Sequence, residues 1–431
     1  MGSTRQRTVR RAAAGVVACL AVVTACAPPD DGTPPSTTWT STRFPFTQSA
    51  TERVSRIGAW TSEDAFAYLE WTVPTGGTNS AELVIHPRTG PGGNDLGDPQ
   101  RIPADVSIDG LKGEHFIGIG RPVTTGETEV TFYRPESGTW GADGSVTIPT
   151  FYEFAALTDD WLVARRQLGA PGDFTGSILI YPLDSTGSSI QAGTPVTIEP
   201  DPGWSLELQQ GFGRRVAVDG DLLAVSTAPY GVDGPGVVSI YEQSGGTWTS
   251  TQTLTSPLGA NLFGNYLAID DGATVDRLVL APQGNSMETL GVDVFADEGD
   301  GFELEQSIPR SSDPDLQNGL LLGHSIAIDD DLLVFSTRST EVASSEPGHA
   351  PVKVGHVAVH RHGASGWELE EELRVGSDPY EADVVQALPW KVDVAAGHVA
   401  VSLLVTGDPP PGCGSFGCIN LGFEAFSLDR R

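Results

Sequence analysis

Fourteen residues starting at Phe212 (FGRRVAVDGDLLAV) return from Phe263 as FGNYLAID and from Leu322 as LGHSIAIDDDLLVF. Each copy is an alternating apolar run, an Asp/Gly turn and a second apolar run, which is the pattern of a β-hairpin. Weaker copies stand at Val106–Gly110 (VSIDG), at Ala155–Asp160 (AALTDD), at Val392–Val394 followed by His398–Val401, and between Val54 and Leu69. Seven units then begin near residues 54, 106, 155, 216, 267, 326 and 392, a mean spacing of about 56 residues. A second hairpin follows inside the units, with an aromatic residue or His seven positions before a Trp or Phe: Tyr133 and Trp140, Tyr241 and Trp248, Phe295 and Phe302, His360 and Trp367. Four strands per unit in hairpin order predict an all-β chain, a seven-bladed β-propeller of four-stranded antiparallel blades. Helical solenoids are excluded, because their units would carry a 3.6-residue period. The 52 glycines and 31 prolines agree with many short strands and turns.

The pairs Phe212-Gly213 and Phe263-Gly264, the pairs Ala228-Pro229 and Ala281-Pro282, and the strand Gly236-Val237-Val238-Ser239-Ile240-Tyr241 resemble the FG-GAP repeat. That is the blade type of the integrin α-subunit propeller and of many bacterial extracytoplasmic proteins. The resemblance is good over units four to six and thin elsewhere. It implies a seven-bladed propeller and a role in ligand or protein binding, and it implies no reaction.

The last unit runs from Trp390 to Phe426 and stops at Arg431, one outer strand short. An open blade leaves backbone donors and acceptors as a template for aggregation, so something must cover that edge. Thr38-Trp39-Thr40-Ser41-Thr42 repeats Thr247-Trp248-Thr249-Ser250-Thr251 letter for letter. Residues 38–47 are therefore expected beside the strand carrying Phe423 and Phe426, so that an N-terminal strand closes the ring.

Ahead of that strand, Arg5, Arg7, Arg10 and Arg11 precede an apolar run from Ala12 to Ala25 that is short for a membrane span. Residues 1–25 read as a signal peptide, and Val23-Thr24-Ala25-Cys26 resembles the bacterial lipobox, which implies that Cys26 carries lipid. Residues 26–37 are Pro-rich and polar and read as a flexible stalk, leaving 38–431 as the propeller. Outside the signal, the chain keeps all 56 acidic residues against 21 basic ones. Such a surface repels phosphate backbones, so nucleic acid is not expected as a partner. Cys413 and Cys418, in a Pro/Gly-rich segment of an exported protein, are expected to pair with each other.

Chemical motifs are sparse. There is no GxSxG, HExxH, GxxxxGK[ST] or strand-borne GxGxxG. The acidic segment Asp297-Glu298-Gly299-Asp300-Gly301 lacks a middle carboxylate for calcium and reads as a solvated turn. His356, His360 and His362 alternate along one strand and could share a face as metal ligands, yet His360 holds the slot of Tyr133, Tyr241 and Phe295 and reads as packing. No metal and no cofactor is expected. The expected function is that of a membrane-tethered, extracytoplasmic, monomeric binding module for a protein or a glycan. Recognition is expected in the segments between strands: 230–235 with Tyr230 and Asp233, 284–289 with Asn285 and Met287, 339–353 with Glu346 and His349, and 409–417 with Phe416. The rivals are an extracytoplasmic hydrolase or lyase, with shifted polar groups converging on the central channel, and a structural part of an envelope complex.

Overall fold

The computed structural model describes residues 39–44, 47–48, 52–74, 80–89, 95–104, 110–112, 115, 117–124, 127–136, 139–149, 155–168, 175–227, 236–256, 263–272, 274–281, 291–309, 325–342, 352–374, 384–407 and 420–430. Residues 1–38 form one unit and Trp39–Arg431 the other. The expected signal peptide and stalk, with Cys26, lie outside the described residues.

The second unit opens with β1 (Trp39–Phe44). The first sheet holds β2 (Thr47–Gln48), β3 (Glu52–Thr61), β4 (Ala65–Pro74), β5 (Ser80–Thr89), β6 (Asp95–Leu96) and β7 (Gln100–Ala104). The second holds β8 (Gly110–Lys112), β9 (Ile117–Thr124), β10 (Glu127–Glu136) and β11 (Thr139–Ile148). The third holds β12 (Ala155–Leu157), β13 (Trp161–Leu168), β14 (Thr175–Asp184), β15 (Gln191–Ala192) and β16 (Val196–Ile198), and is followed by the helix α1 (Leu206–Gly211). The fourth holds β17 (Phe212–Asp219), β18 (Leu222–Thr227), β19 (Val237–Ser244) and β20 (Thr247–Thr255). The fifth holds β21 (Tyr266–Asp270), β22 (Asp276–Ala281), β23 (Val292–Asp297) and β24 (Glu303–Ile308). The last sheet takes β25 (Ile326–Asp329), β26 (Leu332–Val342), β27 (Val352–Gly363), β28 (Gly366–Arg374), β29 (Val384–Ala395), β30 (His398–Gly407), β31 (Asn420–Arg430) and, at its edge, β1.

The protein is an all-β propeller with six sheets, which corrects the expectation of seven four-stranded blades. The last sheet has eight strands because β27 and β29 pair in parallel through Lys353–Gln386 and Val354–Ala387, fusing what the repeat divides into two units. The N-terminal strand β1 pairs antiparallel with β31 from Trp39–Arg430 to Phe44–Ala425. It is the edge of this fused sheet, not the fourth strand of a separate blade, and closure of a seven-bladed ring by it is not what the pairing shows. The segment expected as a binding loop at 339–353 is also corrected at its ends, since Ser339–Val342 pair with Val352–Gly355 inside β26 and β27. Among the described residues no helix is long and apolar enough to cross a membrane.

The core lies between successive sheets, because alternation gives each strand an apolar face on both sides of the sheet. Phe212, Leu223, Val225 and Trp248 of the fourth sheet pack with Ile178 and Ile180 of the third. Phe263, Leu278 and Leu280 of the fifth meet Leu222, Val238 and Ile240 of the fourth. The glycine after each Phe explains the recurrent FG pair. Gly213 and Gly264 have φ of +72° and +75°, and a Cβ on either would stand 2.4 Å from Ile178 Cδ1 or Val238 Cγ2 of the preceding sheet. Only a residue without a side chain combines that backbone with that approach.

Candidate functional site

Antiparallel alternation sorts the connections between strands into two ends. At one end lie the tight turns between the first two strands of a unit, Gly220-Asp221, Asp330-Asp331 and Ala396-Gly397, with φ of +50° at Gly220, +52° at Asp330 and +50° at Ala396. These turns are stitched from unit to unit by carboxylates. Asp271 N–H donates to Asp219 Oδ2 at 2.8 Å, Asp330 N–H to Asp270 Oδ1 at 3.4 Å and Ala396 N–H to Asp329 Oδ2 at 2.7 Å. Thr61 N–H donates likewise to Asp393 Oδ2 at 2.8 Å, joining the first sheet to the last. Burial pushes the Asp270 carboxyl up to about 6, with the nearby Asp329 and Asp330 adding to it. The acidic pairs are thus more than turn formers: the first Asp of one unit binds the turn of the next. This end is structural.

The opposite end carries the other connections. Phe212 faces Thr227, and Thr227 faces Val237, so the strand ends flanking 228–236 lie where β17 begins. Tyr266 faces Ala281, which puts the start of 282–290 at the same end. Val342 with Val352, and Val384 with Gly407, do the same for 343–351 and 408–419. Tyr230, Asp233, Asn285, Met287, Glu346, His349 and Phe416 fall in these connections and lie outside the described residues, as do Cys413 and Cys418.

What the structure does describe at this end is a polar pair following each FG glycine, a position no linear motif marks. In the fourth sheet it is Arg214 and Arg215, and in the fifth Asn265 and Tyr266. The Arg pair falls in the irregular stretch of β17 between Phe212 and Val216, where the register with β18 shifts. Ser226 Oγ accepts from Arg215 N–H at 3.0 Å. The Arg215 Nε–H donates to the Asn265 carbonyl at 3.1 Å, and its guanidinium lies 5.6 Å from the centroid of the Tyr266 ring. Burial raises the Tyr266 phenol, and the positive charge of Arg215 together with side-chain hydrogen bonds from Asn265 and Arg215 opposes that rise. Nearby, the buried Arg165 donates through Nη2 to the Gln210 carbonyl at 2.8 Å and holds the end of α1.

The histidine strand resolves into different roles. His360 is buried and stacks on Phe335, centroids 5.1 Å apart at 18°, and burial pushes its imidazole down to about 4. His362 reaches across to the fifth sheet, with Nε2 2.9 Å from Glu305 Oε1. Glu305 Oε2 also accepts from Trp367 Nε1–H at 3.1 Å, and Arg277 stands 5.5 Å over the Trp367 ring. His356 is buried further along β27. Among the described residues no three His, Cys, Asp or Glu side chains converge as a metal-binding group.

No protein-family model matches the chain, and no curated protein matches it. Among solved structures, the chain resembles the β-propeller domain of the trilobed protease from Pyrococcus furiosus, at 10% identity over 82% of this chain and 94% of that one, TM-score 0.44. It also resembles Pyrococcus horikoshii acylaminoacyl peptidase, at 10% identity, TM-score 0.49, over 82% of this chain and 50% of the peptidase, so it spans about half of that enzyme's length. The WD40 domain of SCAP from fission yeast is similar at 11% identity over 90% of this chain and 98% of that one, TM-score 0.44. The propeller itself is established by the strand pairing: repeated antiparallel four-strand units, packed face to face.

Proposed function

We propose that the protein is a non-catalytic binding module, held outside the cell membrane by lipid on Cys26, that recognises a partner at the end where its strand-to-strand connections gather. The observation that carries this reading is the division of the molecule into two ends. One is stitched by the aspartates, while at the other lie the strand ends that flank 228–236, 282–290, 343–351 and 408–419, together with Arg215, Asn265 and Tyr266. Variable segments on a rigid frame are where recognition concentrates.

An enzyme would need shifted groups facing each other in one site. Here Asp270 sits at a turn, the raised Asp293 accepts from Ser307 Oγ–H at 2.6 Å on the neighbouring strand, and His360 stacks on Phe335. These three groups lie on different seams and do not face one another in one site.

Capture from detergent-solubilised membranes tests the reading. The full chain should retain a stoichiometric protein or glycan partner, a variant with 231–235 replaced by Gly and Ser should lose it, and Asp300→Lys at an outer turn should keep it. Equal capture by all three would overturn the assignment of the end. Replacing Cys26 by Ser should move the protein out of the membrane fraction or block its processing.

A further inference from the structure

The outermost strands of two successive sheets carry the same three letters, Glu303-Leu304-Glu305 in β24 and Glu368-Leu369-Glu370 in β28. The register makes them equivalent. Leu304 faces Phe295 and Leu369 faces His360, the slot that Ala142 takes opposite Tyr133 and Ser250 opposite Tyr241. In the second and fourth sheets the exposed residue of this slot is small, whereas in the fifth and last it is a leucine, 44% and 56% exposed. Scattered exposed leucines are ordinary on a protein surface, but the same slot filled by leucine on neighbouring strands makes a shared apolar face. Charge on an outermost strand has a bland explanation, since it keeps free edges of different molecules apart. The glutamates meet that need, and the leucines work against it.

The second glutamate of each triplet serves the frame. Glu305 accepts from Trp367 Nε1–H and meets Arg277 and His362, and Glu370 pairs with Arg361. Gln306 adds two bonds to the Trp367 backbone, so β24 and β28 are held together and their outer face is formed in advance. Glu303, Glu368 and Glu371 remain exposed beside the leucines. We infer that Leu304 and Leu369, with Glu303, Glu368 and Glu371, form a docking face for a cationic, amphipathic segment of another protein. Its apolar side chains would cover the leucines and its Lys or Arg side chains would meet the glutamates. Charge selects this occupant. A body of net charge -31 repels a second copy of itself and an anionic bilayer, and a neutral glycan leaves the glutamates without a counter-charge. The face lies on the outermost strands rather than at the end proposed above for recognition, so it stands independently of that reading.

Fluorescence anisotropy of labelled peptides titrated with the full chain at about 150 mM salt tests the inference. The probes are the peptide amide KLLKLLKKLLKLLK, the same peptide with Ser for every Leu, and the same with Glu for every Lys. The Lys/Leu peptide should bind with a Kd of about 100 μM or tighter, and the other two about tenfold or more weakly. Leu304→Ser with Leu369→Ser, which copies Ser250 of the fourth sheet, should weaken the Lys/Leu peptide about tenfold, while Leu206→Ser on α1 leaves it unchanged. Each leucine exchanged alone should give part of that loss, which keeps the test open should the pair lower the thermal midpoint. Glu303→Gln with Glu371→Gln should weaken binding about threefold or more, and the exposed pair Glu136→Gln with Glu199→Gln should not, although the net charge changes equally. Undiminished binding by the leucine variants, an equal loss with Leu206→Ser or with the Glu136 and Glu199 pair, or equal affinity for the Ser peptide would overturn the inference. So would sedimentation showing that the full chain dimerises and the leucine variant does not, since the face would then belong to a second copy.

Discussion

His360 occupies the slot that Tyr241 fills in the fourth sheet and Phe295 in the fifth, and it does so as a neutral ring stacked on Phe335. Its pKa falls from 6.5 to about 4 through burial, so the folded state prefers the uncharged form. The stability this contributes is whole above pH 6.5 and is lost as pH falls toward 4. We expect His360→Phe to remove that loss. Thermal or urea unfolding of the two proteins should differ little at pH 8 and diverge by on the order of 2–3 kcal/mol by pH 4, and a difference that ignores pH would refute the account. Asp270 acts with the opposite sign. Its folded pKa of about 6 lies above the usual 3.8, so ionisation costs stability above pH 6, and the cost disappears as pH falls through 6 toward 3.8. Asp270→Asn keeps an acceptor for the Asp330 N–H and removes the charge. It should be the more stable protein at pH 8 by on the order of 2 kcal/mol, with the gain gone near pH 3.8; equal stability at both would show that the carboxylate is solvated after all.

At the scale of the element, the joints between units are made by two small devices. One is the FG glycine. Gly264→Ala would place a Cβ at a φ of +75° and 2.4 Å from Val238 Cγ2, so we expect a loss of about 2–4 kcal/mol in chemical denaturation. The other is a side-chain amide that imitates a strand partner. Gln306 donates to the Trp367 carbonyl at 2.9 Å and accepts from the Trp367 N–H at 2.8 Å, and Gln252 does the same to Phe302 at 2.8 Å in both directions. Gln100 grips Trp140 in the same way. Gln306→Ala should cost about 1–2 kcal/mol, with Gln252→Ala adding to it independently because the two joints share no partner.

Much of this was legible before any coordinates. The hairpins announce themselves through alternation, and the place of His360 is set by its distance from Trp367. The clamp leaves a trace in the sequence, since Gln follows the aromatic by four residues at Trp248 and Gln252 and at Phe302 and Gln306. What hid it is that the side chain serves the next unit rather than its own. The number of sheets was not legible, because a parallel bridge of two residue pairs at Lys353 and Val354 leaves no periodic trace. Arg215 has no linear signature because its partners, Asn265 and Tyr266, arrive from the next repeat.

Across the whole molecule, the fused sheet ties the last third of the chain to its beginning. Val392, Val394, Val399 and Val401 pack with Val334, Val357 and Val359, and Trp39 leans half-buried on the same cluster. We expect backbone amides of β27 and β29 to exchange through one shared opening in native-state hydrogen exchange, with similar free energies and denaturant slopes, while β22 and β23 follow another. Independent openings of β27 and β29 would mean that the parallel bridge does not couple them. Trp39→Ala should lower global stability by about 1–3 kcal/mol, less than a fully enclosed tryptophan would.

The pairing of β1 with β31 also gives the body a mechanical direction. Trp39 faces Arg430, so the two strands can be gripped at neighbouring ends, and a load applied there parts their ladder one pair after another, as a zipper opens. A load applied to Trp39 and to Ala425, the far end of the stretch of β31 paired with β1, would instead have to shear all six pairs at once. The same six residue pairs are thus a weak latch to one pull and a strong one to the other, a contrast that force spectroscopy with handles at the two positions would read directly.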